Sequence, residues 1–346
     1  MLDKDDSDIK NDETEICDVH HNTVCNTTQA PTGLLFNRLT HTVIYSSMLI
    51  AHHTCYAHPL PENHRFPMEK YEMLAGQLGL EGIGDDPEWH SPAPMAEKDI
   101  IRSHSSSYYT SLLNGSWTRD EERRSGFTWS PELIRRESII MQGTWSCAQA
   151  ASQGDIGLNI AGGTHHAFAN RAEGFCLLND LALSADLLLY NGMAKRVLIV
   201  DLDVHQGNGT AAMTRGDDRI FTFSMHGASN YPFRKETSTL DVPLPNGTED
   251  PLYLALLQDH MDTILDDFKP NVVLYQCGVD VLASDKLGKL SLTLEGCLER
   301  DRIVLESCRK RDIGVACAMG GGYSKDVSVI VEAHMQTFRL ARELWS

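Results

Sequence analysis

Short apolar runs recur along the chain, and longer amphipathic stretches separate them. Each run is rich in aliphatic residues and is bounded by glycine, proline or charge, which is typical of strands buried on both faces of a parallel sheet. The four clearest predicted strands are Ile156–Ile160, Val197–Val200, Val272–Tyr275 and Ile313–Met319. An earlier run, Val43–Ala51, predicts a further buried strand and is too short to span a membrane.

Three of the longer stretches have the spacing of helices, namely Leu177–Tyr190, Pro251–Asp267 and Leu294–Lys310. Thr248 and Thr293 stand just before the last two and are their predicted N-caps, because a threonine hydroxyl can accept a hydrogen bond from the first turn of a helix. Strands that alternate with helices indicate βαβ units. We therefore expect an α/β domain built on a largely parallel sheet.

The N-terminal segment has a different character. Residues 1–38 are acidic and polar and lack periodicity until Leu34–Phe36, so we expect a disordered extension followed by a single domain over residues 39–346. Met1–Glu15 resembles neither a signal peptide nor a transit peptide. The chain also lacks a run of about 18 apolar residues. These features predict an intracellular protein, cytoplasmic or nuclear, that does not associate with membranes.

Charge and cysteine content narrow the function classes. The formal net charge is −18, and a field of that sign repels phosphate backbones, so direct nucleic-acid binding is not expected. The same charge favours a cationic ligand or serves only solubility, and composition leaves both open. The nine cysteines form no CxxC pairs, which argues against a disulfide framework and a structural zinc knuckle. We expect most of them to be buried thiols.

Histidine, aspartate and tyrosine side chains follow the four clearest predicted strands. Because ligands bind beyond the carboxyl ends of strands in open α/β sheets, we expect these side chains to form one active site. The four segments are Gly162-Gly163-Thr164-His165-His166, Asp201-Leu202-Asp203-Val204-His205-Gln206-Gly207-Asn208, Gln276-Cys277-Gly278-Val279-Asp280 and Gly320-Gly321-Gly322-Tyr323.

The second of these segments has the pattern of a metal site. In an extended chain Asp201, Asp203 and His205 face the same way, and two carboxylates beside an imidazole are unfavourable without a cation. One aspartate and the histidine, completed by the remote Asp280, suit a divalent metal with mixed oxygen and nitrogen ligands. A polar strand end with capping carboxylates is the alternative. Spacing alone makes Asp201 a candidate ligand as well.

The histidine pair and the tyrosine suit acid–base chemistry. His165 and His166 can supply a general base and a general acid near neutral pH, if a turn brings both imidazoles to one side. Each needs an orienting partner, for which Asp201 and Asn208 are the candidates. Tyr323 follows three glycines and could donate a hydrogen bond to a developing oxyanion. On local evidence alone, each of these side chains could equally be structural.

In combination, these motifs closely resemble the histone deacetylase superfamily. The resemblance rests on the four strand-end segments, on Glu173-Gly174-Phe175-Cys176, and on an upstream loop from His58 to Met68 that contains His64-Arg65; it extends over roughly residues 42–340. The motifs are most similar to those of the class IV branch and its bacterial and plant relatives. The resemblance implies the arginase/deacetylase fold, a single domain whose parallel sheet of about eight strands is flanked by helices.

The resemblance implies two ions. Catalytic zinc would be bound by Asp203, His205 and Asp280. A structural monovalent cation, potassium, would lie near Asp201, Asp203 and Ser224. Asp201 would then be the residue that orients a catalytic histidine and not a zinc ligand.

The resemblance also implies catalytic roles. His166 would be the principal general base and acid, and His165, oriented by Asp201, its electrostatic or proton-sharing partner. Tyr323 would bind the oxyanion together with zinc. Asn208 stands where the class I pattern has aspartate, so it can orient His166 but cannot stabilise the imidazolium by charge, and we expect a less basic imidazole.

For the substrate channel, the resemblance implies that Phe175 and Tyr231 form the walls around the lysine methylenes, although both could be core aromatics on local evidence. Gly174 and Gly321 would line the same channel. Arg65 is counted among the channel residues as well and would lie near an inner cavity linked to acetate release.

The implied activity is zinc-dependent hydrolysis of acetyl-lysine or longer acyl-lysine in histone tails or other proteins, which releases acetate and free lysine. The first alternative is an amidohydrolase of small acetylated amines such as acetylpolyamines, which an acidic residue at the channel rim would favour. A non-catalytic scaffold in a repressor complex is a second alternative, disfavoured by the intact metal and tyrosine set. Ureohydrolase activity would need a two-metal carboxylate set that the motifs lack. A co-repressor partner and self-association remain open.

Overall fold

The structure of the protein is a computed structural model that describes residues 48–84 and 88–346. The predicted extension over residues 1–38, the predicted domain boundary after it and residues 43–47 of the first predicted strand lie outside these described residues.

Within the described residues the sheet has eight strands, and every neighbouring pair is parallel, as predicted. The strands lie in the order β2-β1-β3-β8-β7-β4-β5-β6. Their bounds are β1 Met48–Ala51, β2 Trp89–His90, β3 Ile156–Asn159, β4 Val197–Asp201, β5 Ile220–Gly227, β6 Leu240–Leu244, β7 Val272–Gln276 and β8 Gly314–Ala318.

Ten α-helices accompany the sheet in the part of the chain that the structure describes. They are α1 Lys70–Leu80, α2 Glu97–Ser103, α3 Ser106–Asn114, α4 Arg119–Ser125, α5 Pro131–Ala151, α6 Asp180–Tyr190, α7 Asn208–Thr214, α8 Asp250–Phe268, α9 Leu294–Arg309 and α10 Val327–Trp345.

The three predicted helices are confirmed as α6, α8 and α9, with differences at their first turns. Helix α6 begins three residues late, because the side chain of Asn179 accepts a hydrogen bond from the amide of Ala182 and caps it there. Thr293 caps α9 as predicted. The predicted cap of α8 is wrong, since Glu249 precedes that helix and the hydroxyl of Thr248 donates to the carbonyl of Pro245 instead.

Both faces of the sheet are covered, which explains the uninterrupted apolar runs. On β4, Val197 and Ile199 pack into a cluster that includes side chains of α6, while Leu198 and Val200 pack into a larger cluster that includes side chains of α8. Successive residues of a strand point to opposite faces, so a strand buried on both faces has no polar alternation.

The cysteines among the described residues agree with the prediction that most are buried thiols. All seven cysteines among the described residues are free thiols, and six of them are buried. None of the described helices is long and apolar enough to cross a membrane.

The four clearest predicted strands are neighbours in the sheet, in the order β3-β8-β7-β4. Their carboxyl ends therefore lie side by side at one edge. The segments that carry the predicted active-site residues leave the sheet at this edge, which confirms the expectation that they meet.

A buried arginine holds two of these segments in place. Arg300 of α9 is fully buried, and its guanidinium donates to the carbonyls of Gly278 at 2.5 Å and Cys277 at 3.3 Å, and to that of Leu202 at 3.4 Å. Its charge is balanced by Asp301, which lies 2.8 Å away and is also fully buried. Helix α9 thus links the loop after β4 to the loop after β7.

Replacing Arg300 by methionine is expected to lower the free energy of unfolding by ~3 kcal/mol or more, because the carboxylate of Asp301 would remain buried without its partner. Urea denaturation followed by circular dichroism measures the change. The matched control is Arg302→Met, two residues further along α9, where the side chain is 30% exposed and its ion pairs reach the surface. That variant is expected to lose less than about 1 kcal/mol. Equal decreases in the free energy of unfolding in the two variants would contradict the role of Arg300 in holding the loops after β4 and β7 together.

Candidate active site

Asp203, His205 and Asp280 converge at the carboxyl edge of the sheet. The first two follow β4, the third follows its neighbour β7, and one potential ligand atom of each lies within 4.8 Å of the others. Nδ1 of His205 is 2.9 Å from Oδ1 of Asp203 and 3.0 Å from Oδ2 of Asp280. Leu202 and Val204 are fully buried, as the alternating pattern predicts.

The electrostatics of this cluster fit a bound cation. Burial and the neighbouring carboxylate of Asp203 raise the pKa of Asp280. Burial alone would lower the pKa of His205, but its hydrogen bonds to Asp203 and Asp280 raise it to about 10. Both shifts mean that the buried cluster attracts positive charge. Two carboxylate oxygens and one imidazole nitrogen form the kind of three-residue set that holds catalytic zinc and leaves a position for water or substrate.

Neighbouring groups orient the two carboxylates. The side-chain amide of Gln276 donates to Oδ2 of Asp203 at 2.9 Å, and the backbone amide of Gly321 donates to the same oxygen at 3.1 Å. The backbone amide of Val204 donates to Oδ1 of Asp280 at 2.9 Å. A Cβ atom at Gly321 would lie 2.4 Å from Oδ2 of Asp280, so glycine is needed for this close approach. Gly321, a predicted channel residue, therefore lies against the metal-binding cluster.

A turn after β3 brings the imidazoles of His165 and His166 together, with ring centroids 4.1 Å apart. Nδ1 of His165 lies 2.7 Å from Oδ2 of Asp201, and Nδ1 of His166 lies 2.7 Å from Oδ1 of Asn208. The structure thus places each histidine against the partner that the sequence suggested. Asp201 contacts His165 and lies outside the three-residue metal-binding cluster.

The two histidines differ in charge. Burial would lower the pKa of His165, but the carboxylates of Asp201 and Asp203 outweigh it and raise that pKa to about 9. Burial and the neighbouring His165 and His205 hold the pKa of His166 well below its ordinary value. At neutral pH this arrangement favours a charged imidazolium at His165 beside a neutral imidazole at His166.

Tyr323 lines the same cavity as His165 and His166. Its ring is buried and packs edge-on against His205 and Phe66, with centroids 6.4 and 6.0 Å apart, and at a tilt against Phe175, with centroids 6.0 Å apart. The backbone amide of Tyr323 donates to Asp285, which fixes the segment after β8. No hydrogen-bond partner of the Tyr323 hydroxyl occurs in residues 48–84 and 88–346.

The predicted channel residues lie around one outer cavity that opens to solvent, here called the mouth. Phe175 and Tyr231 line it together with His166, His205 and Tyr323. The ring of Tyr231 meets that of His166 edge-on at 5.0 Å. Gly174 has a φ of +54°, and a Cβ there would lie 2.7 Å from the ring of His166, so only glycine fits beside the imidazole.

Arg65 does not lie at the inner cavity, so that expectation is wrong. Its side chain is exposed and lines the mouth, where the guanidinium carbon is 6.0 Å from the ring centroid of Phe175. The inner cavity lies beside the candidate metal-binding residues and is lined by Tyr71, Ile140 and Gly163 among others. The arginine that lines it is Arg136 of α5, which is buried and pairs with Glu137. Arg136 comes from a helix that none of the motifs includes, so the sequence offered no sign of it.

The charge at the mouth is opposite in sign to the net charge of the chain. None of the described residues that line it is acidic. Its basic lining residues are Arg65, Arg123, Arg124 and Lys289.

Two charged side chains near the site were missed by sequence reasoning. Glu173 precedes Gly174 in a recognised motif, and its position there was the available signal; it accepts hydrogen bonds from Asn208 and Tyr231. Lys70 is buried beside Tyr323 and donates to the carbonyl of Gly320 at 2.8 Å. Nothing in the sequence distinguishes it from a surface lysine of a helix.

Comparisons with known proteins agree with this geometry. The model of the histone deacetylase domain matches residues 64–338. An uncharacterized protein of Picosynechococcus sp. is 40% identical, and the alignment covers 86% of this chain and 99% of that protein. Histone deacetylase 2 of Arabidopsis thaliana is 27% identical over 78% of this chain and 72% of its own length.

Solved structures agree as well. An HDAC homolog from Aquifex aeolicus has a TM-score of 0.74 at 24% identity, with 86% of this chain and 84% of that chain covered. An HDAC homolog complexed with SAHA has the same TM-score and coverage at 25% identity. The chain belongs to the histone deacetylase family. It is a hydrolase of the deacetylase type, as the motifs predicted.

Proposed function

We propose that the protein hydrolyses the side-chain amide of acetyl-lysine or acyl-lysine in protein substrates, with zinc bound by Asp203, His205 and Asp280. The observation that carries this proposal is the convergence, at the base of the mouth, of these three side chains with His166 and Tyr323. When bound there, zinc would polarise the amide carbonyl and lower the pKa of a water molecule.

The side chains of the protein would manage the protons and the developing charge. The hydrogen bond from Nδ1 of His166 to Asn208 leaves Nε2 as the nitrogen that can remove a proton from the attacking water. The hydrogen bond between Nδ1 of His165 and Asp201 holds this second imidazole beside that of His166. Once protonated, His166 donates to the leaving amine nitrogen. The hydroxyl of Tyr323 donates to the oxyanion as the carbonyl becomes tetrahedral.

The shape and charge of the mouth support a lysine side chain in a protein over a small acetylated amine. Phe175 and Tyr231 provide aromatic walls suited to methylene groups. An acetylpolyamine carries further ammonium groups and would need acidic partners. The described lining of the mouth provides arginine and lysine instead.

Potassium remains a prediction. Asp201 and Ser224 are cross-strand partners on β4 and β5, and both are buried, which would suit an ion held partly by backbone carbonyls. The hydroxyl of Ser224 also lies 3.0 Å from Nδ1 of His226.

A substrate panel tests the proposed function. Purified protein is assayed on acetyl-lysine peptides, longer acyl-lysine peptides and acetylpolyamines, before and after complete removal of zinc and after zinc is returned. We expect zinc-dependent turnover of the peptides. Turnover that survives complete zinc removal, or turnover of acetylpolyamines alone, would contradict the proposal.

A further inference from the structure

The mouth carries basic side chains that have no ion-pair partner among residues 48–84 and 88–346. Arg65, Arg124 and Lys289 are exposed, and none forms an ion pair with a residue in the described part of the chain. Within the part of the chain that the structure describes, the ammonium group of Lys289 donates only to the carbonyl and hydroxyl of Ser229, which are neutral. Arg123 is different, because it pairs with Asp120.

This charge is held close to the channel. The backbone carbonyl of Arg124 accepts a hydrogen bond from the amide of Gly174 at 3.0 Å, and the neighbouring Ser125 accepts one from the amide of Phe175 at 2.8 Å. The end of α4 is therefore joined to the segment that forms one channel wall. The guanidinium carbon of Arg65 lies 6.0 Å from the ring centroid of Phe175, which forms the same channel wall.

Two carboxylates in segments that border the mouth are already engaged in hydrogen bonds. Glu173 is only 14% exposed and accepts hydrogen bonds from Asn208 and Tyr231. Asp285 accepts hydrogen bonds from the backbone amides of Leu287, Gly288 and Tyr323. Neither is available to balance the arginines and the lysine at the rim.

From these observations we infer that the protein selects acyl-lysines flanked by acidic residues, and this inference rests on the proposed function. A narrow channel admits the acylated side chain, so the flanking residues of a peptide substrate lie at the mouth. Opposite charges there raise the rate of association and favour the correct partner. The overall negative charge acts at longer range, and beyond about 8 Å it is screened at physiological ionic strength. Basic histone tails and polyamines are therefore disfavoured at the mouth.

Three peptides with one acetyl-lysine and flanking aspartates, serines or lysines test the inference. We expect kcat/KM to fall in that order, with about a 10-fold span at low salt that shrinks at 0.5 M NaCl. In the variant Arg124→Gln/Lys289→Gln, the ratio of kcat/KM for the aspartate peptide to kcat/KM for the lysine peptide should be about 3-fold smaller than in the wild type.

The matched control is Arg219→Gln/Lys310→Gln, which removes the same charge. Arg219 and Lys310 precede β5 and β8 and so lie toward the opposite edge of the sheet. The control should keep the wild-type span. Equal kcat/KM for all three peptides, or a higher kcat/KM for the peptide with lysine flanks, would overturn the inference. Failure to hydrolyse any peptide would instead contradict the proposed function.

A separate network concerns the catalytic histidine. Oε1 of Glu173 accepts hydrogen bonds from Nδ2 of Asn208 at 2.9 Å and from the hydroxyl of Tyr231 at 2.6 Å. Its other oxygen faces Arg171 at 3.3 Å. Oδ1 of the same Asn208 amide lies 2.7 Å from Nδ1 of His166.

The carboxylate determines which way the amide faces. A carboxylate can only accept hydrogen bonds, so the NH₂ group of Asn208 must face Glu173 and its oxygen must face His166. That oxygen in turn requires a proton on Nδ1 of His166, which leaves a lone pair on Nε2. The geometry therefore assigns Glu173 as a positioning residue that fixes the tautomer of His166 through Asn208, and the assignment rests on the proposed role of His166 as the base.

Substitution of Glu173 by glutamine should lower kcat about 10-fold and change KM little, since a glutamine amide can turn either group toward Asn208. Asn208→Asp alone would place two carboxylates against each other and should be more damaging. The double variant Glu173→Gln/Asn208→Asp restores a donor–acceptor pair and should be more active than Asn208→Asp alone. Wild-type kcat in Glu173→Gln, or no recovery in the double variant, would overturn the assignment.

Nitrogen-15 chemical shifts of the His166 ring provide a readout that does not need turnover. In the wild-type protein they should report the tautomer with the proton on Nδ1, and in Glu173→Gln a mixture of tautomers. A pure Nδ1-protonated tautomer in both proteins would contradict the assignment even if the proposed function failed.

Discussion

Replacing Tyr323 by phenylalanine is expected to reduce kcat by about 10²-fold or more, while bound zinc and the fold are retained. The substitution removes only the hydroxyl. The ring still packs against Phe66, Phe175 and His205, so the cavity keeps its shape. The hydroxyl has no hydrogen-bond partner among the described residues and is therefore free to donate to the oxyanion. Steady-state kinetics on an acetyl-lysine peptide, together with zinc content, measure the effect.

Tyr253→Phe is the matched control. The hydroxyl of Tyr253 is buried and has no hydrogen-bond partner among the described residues, and Tyr253 lies on α8 and does not line the mouth. Its removal should leave kcat unchanged. If Tyr323→Phe turned over substrate within about 3-fold of wild type, oxyanion stabilisation by this hydroxyl would be excluded.

Replacing Asp280 by asparagine is expected to weaken zinc binding and to lower turnover by about 10³-fold or more, because one of three protein ligands loses its charge. Zinc stoichiometry after dialysis gives a readout independent of activity. Wild-type zinc content and activity in this variant would refute the assignment of Asp280 as a ligand.

Two controls separate metal loss from unfolding. In the zinc-free state the substitution removes a buried negative charge that lies beside Asp203, whose carboxylate raises the pKa of Asp280. The zinc-free variant should therefore be at least as stable as the zinc-free wild type. Asp266→Asn removes a similar charge from the exposed side of α8 and should change neither zinc content nor turnover.

Much of the sheet could be predicted because its central strands have an unambiguous pattern. Runs such as Val197–Val200 are buried on both faces, so they are continuously apolar and do not alternate with polar residues. Such a run can be located in the sequence without knowledge of the neighbouring strands. Because ligands bind beyond the carboxyl ends of strands in such sheets, residues as far apart in the sequence as His165 and Tyr323 could then be assigned to one site. The motifs also supplied the hydrogen-bond partners of the two histidines. The structure contains both contacts, His165 with Asp201 and His166 with Asn208.

The errors arose where side-chain direction decides the outcome. Arg65 stands within the family-like loop, but its side chain turns outward to Phe175, and Arg136 from helix α5 lies at the inner cavity. Thr248 has the right residue type for a cap, yet its hydroxyl bonds to Pro245. Neither direction can be derived from residue spacing.

By itself the sequence determined the fold class, the central strands and the set of residues that meet at their carboxyl ends, because periodicity and strand direction are local properties. The family resemblance also assigned Asp201 to His165 and not to the metal, although spacing alone had left it a candidate ligand. Only the tertiary structure decided two further features. It joined Glu173 to Asn208. Finally, it gathered Arg65, Arg124 and Lys289 around the mouth of a chain with net negative charge, because local charge depends on which distant side chains share a surface.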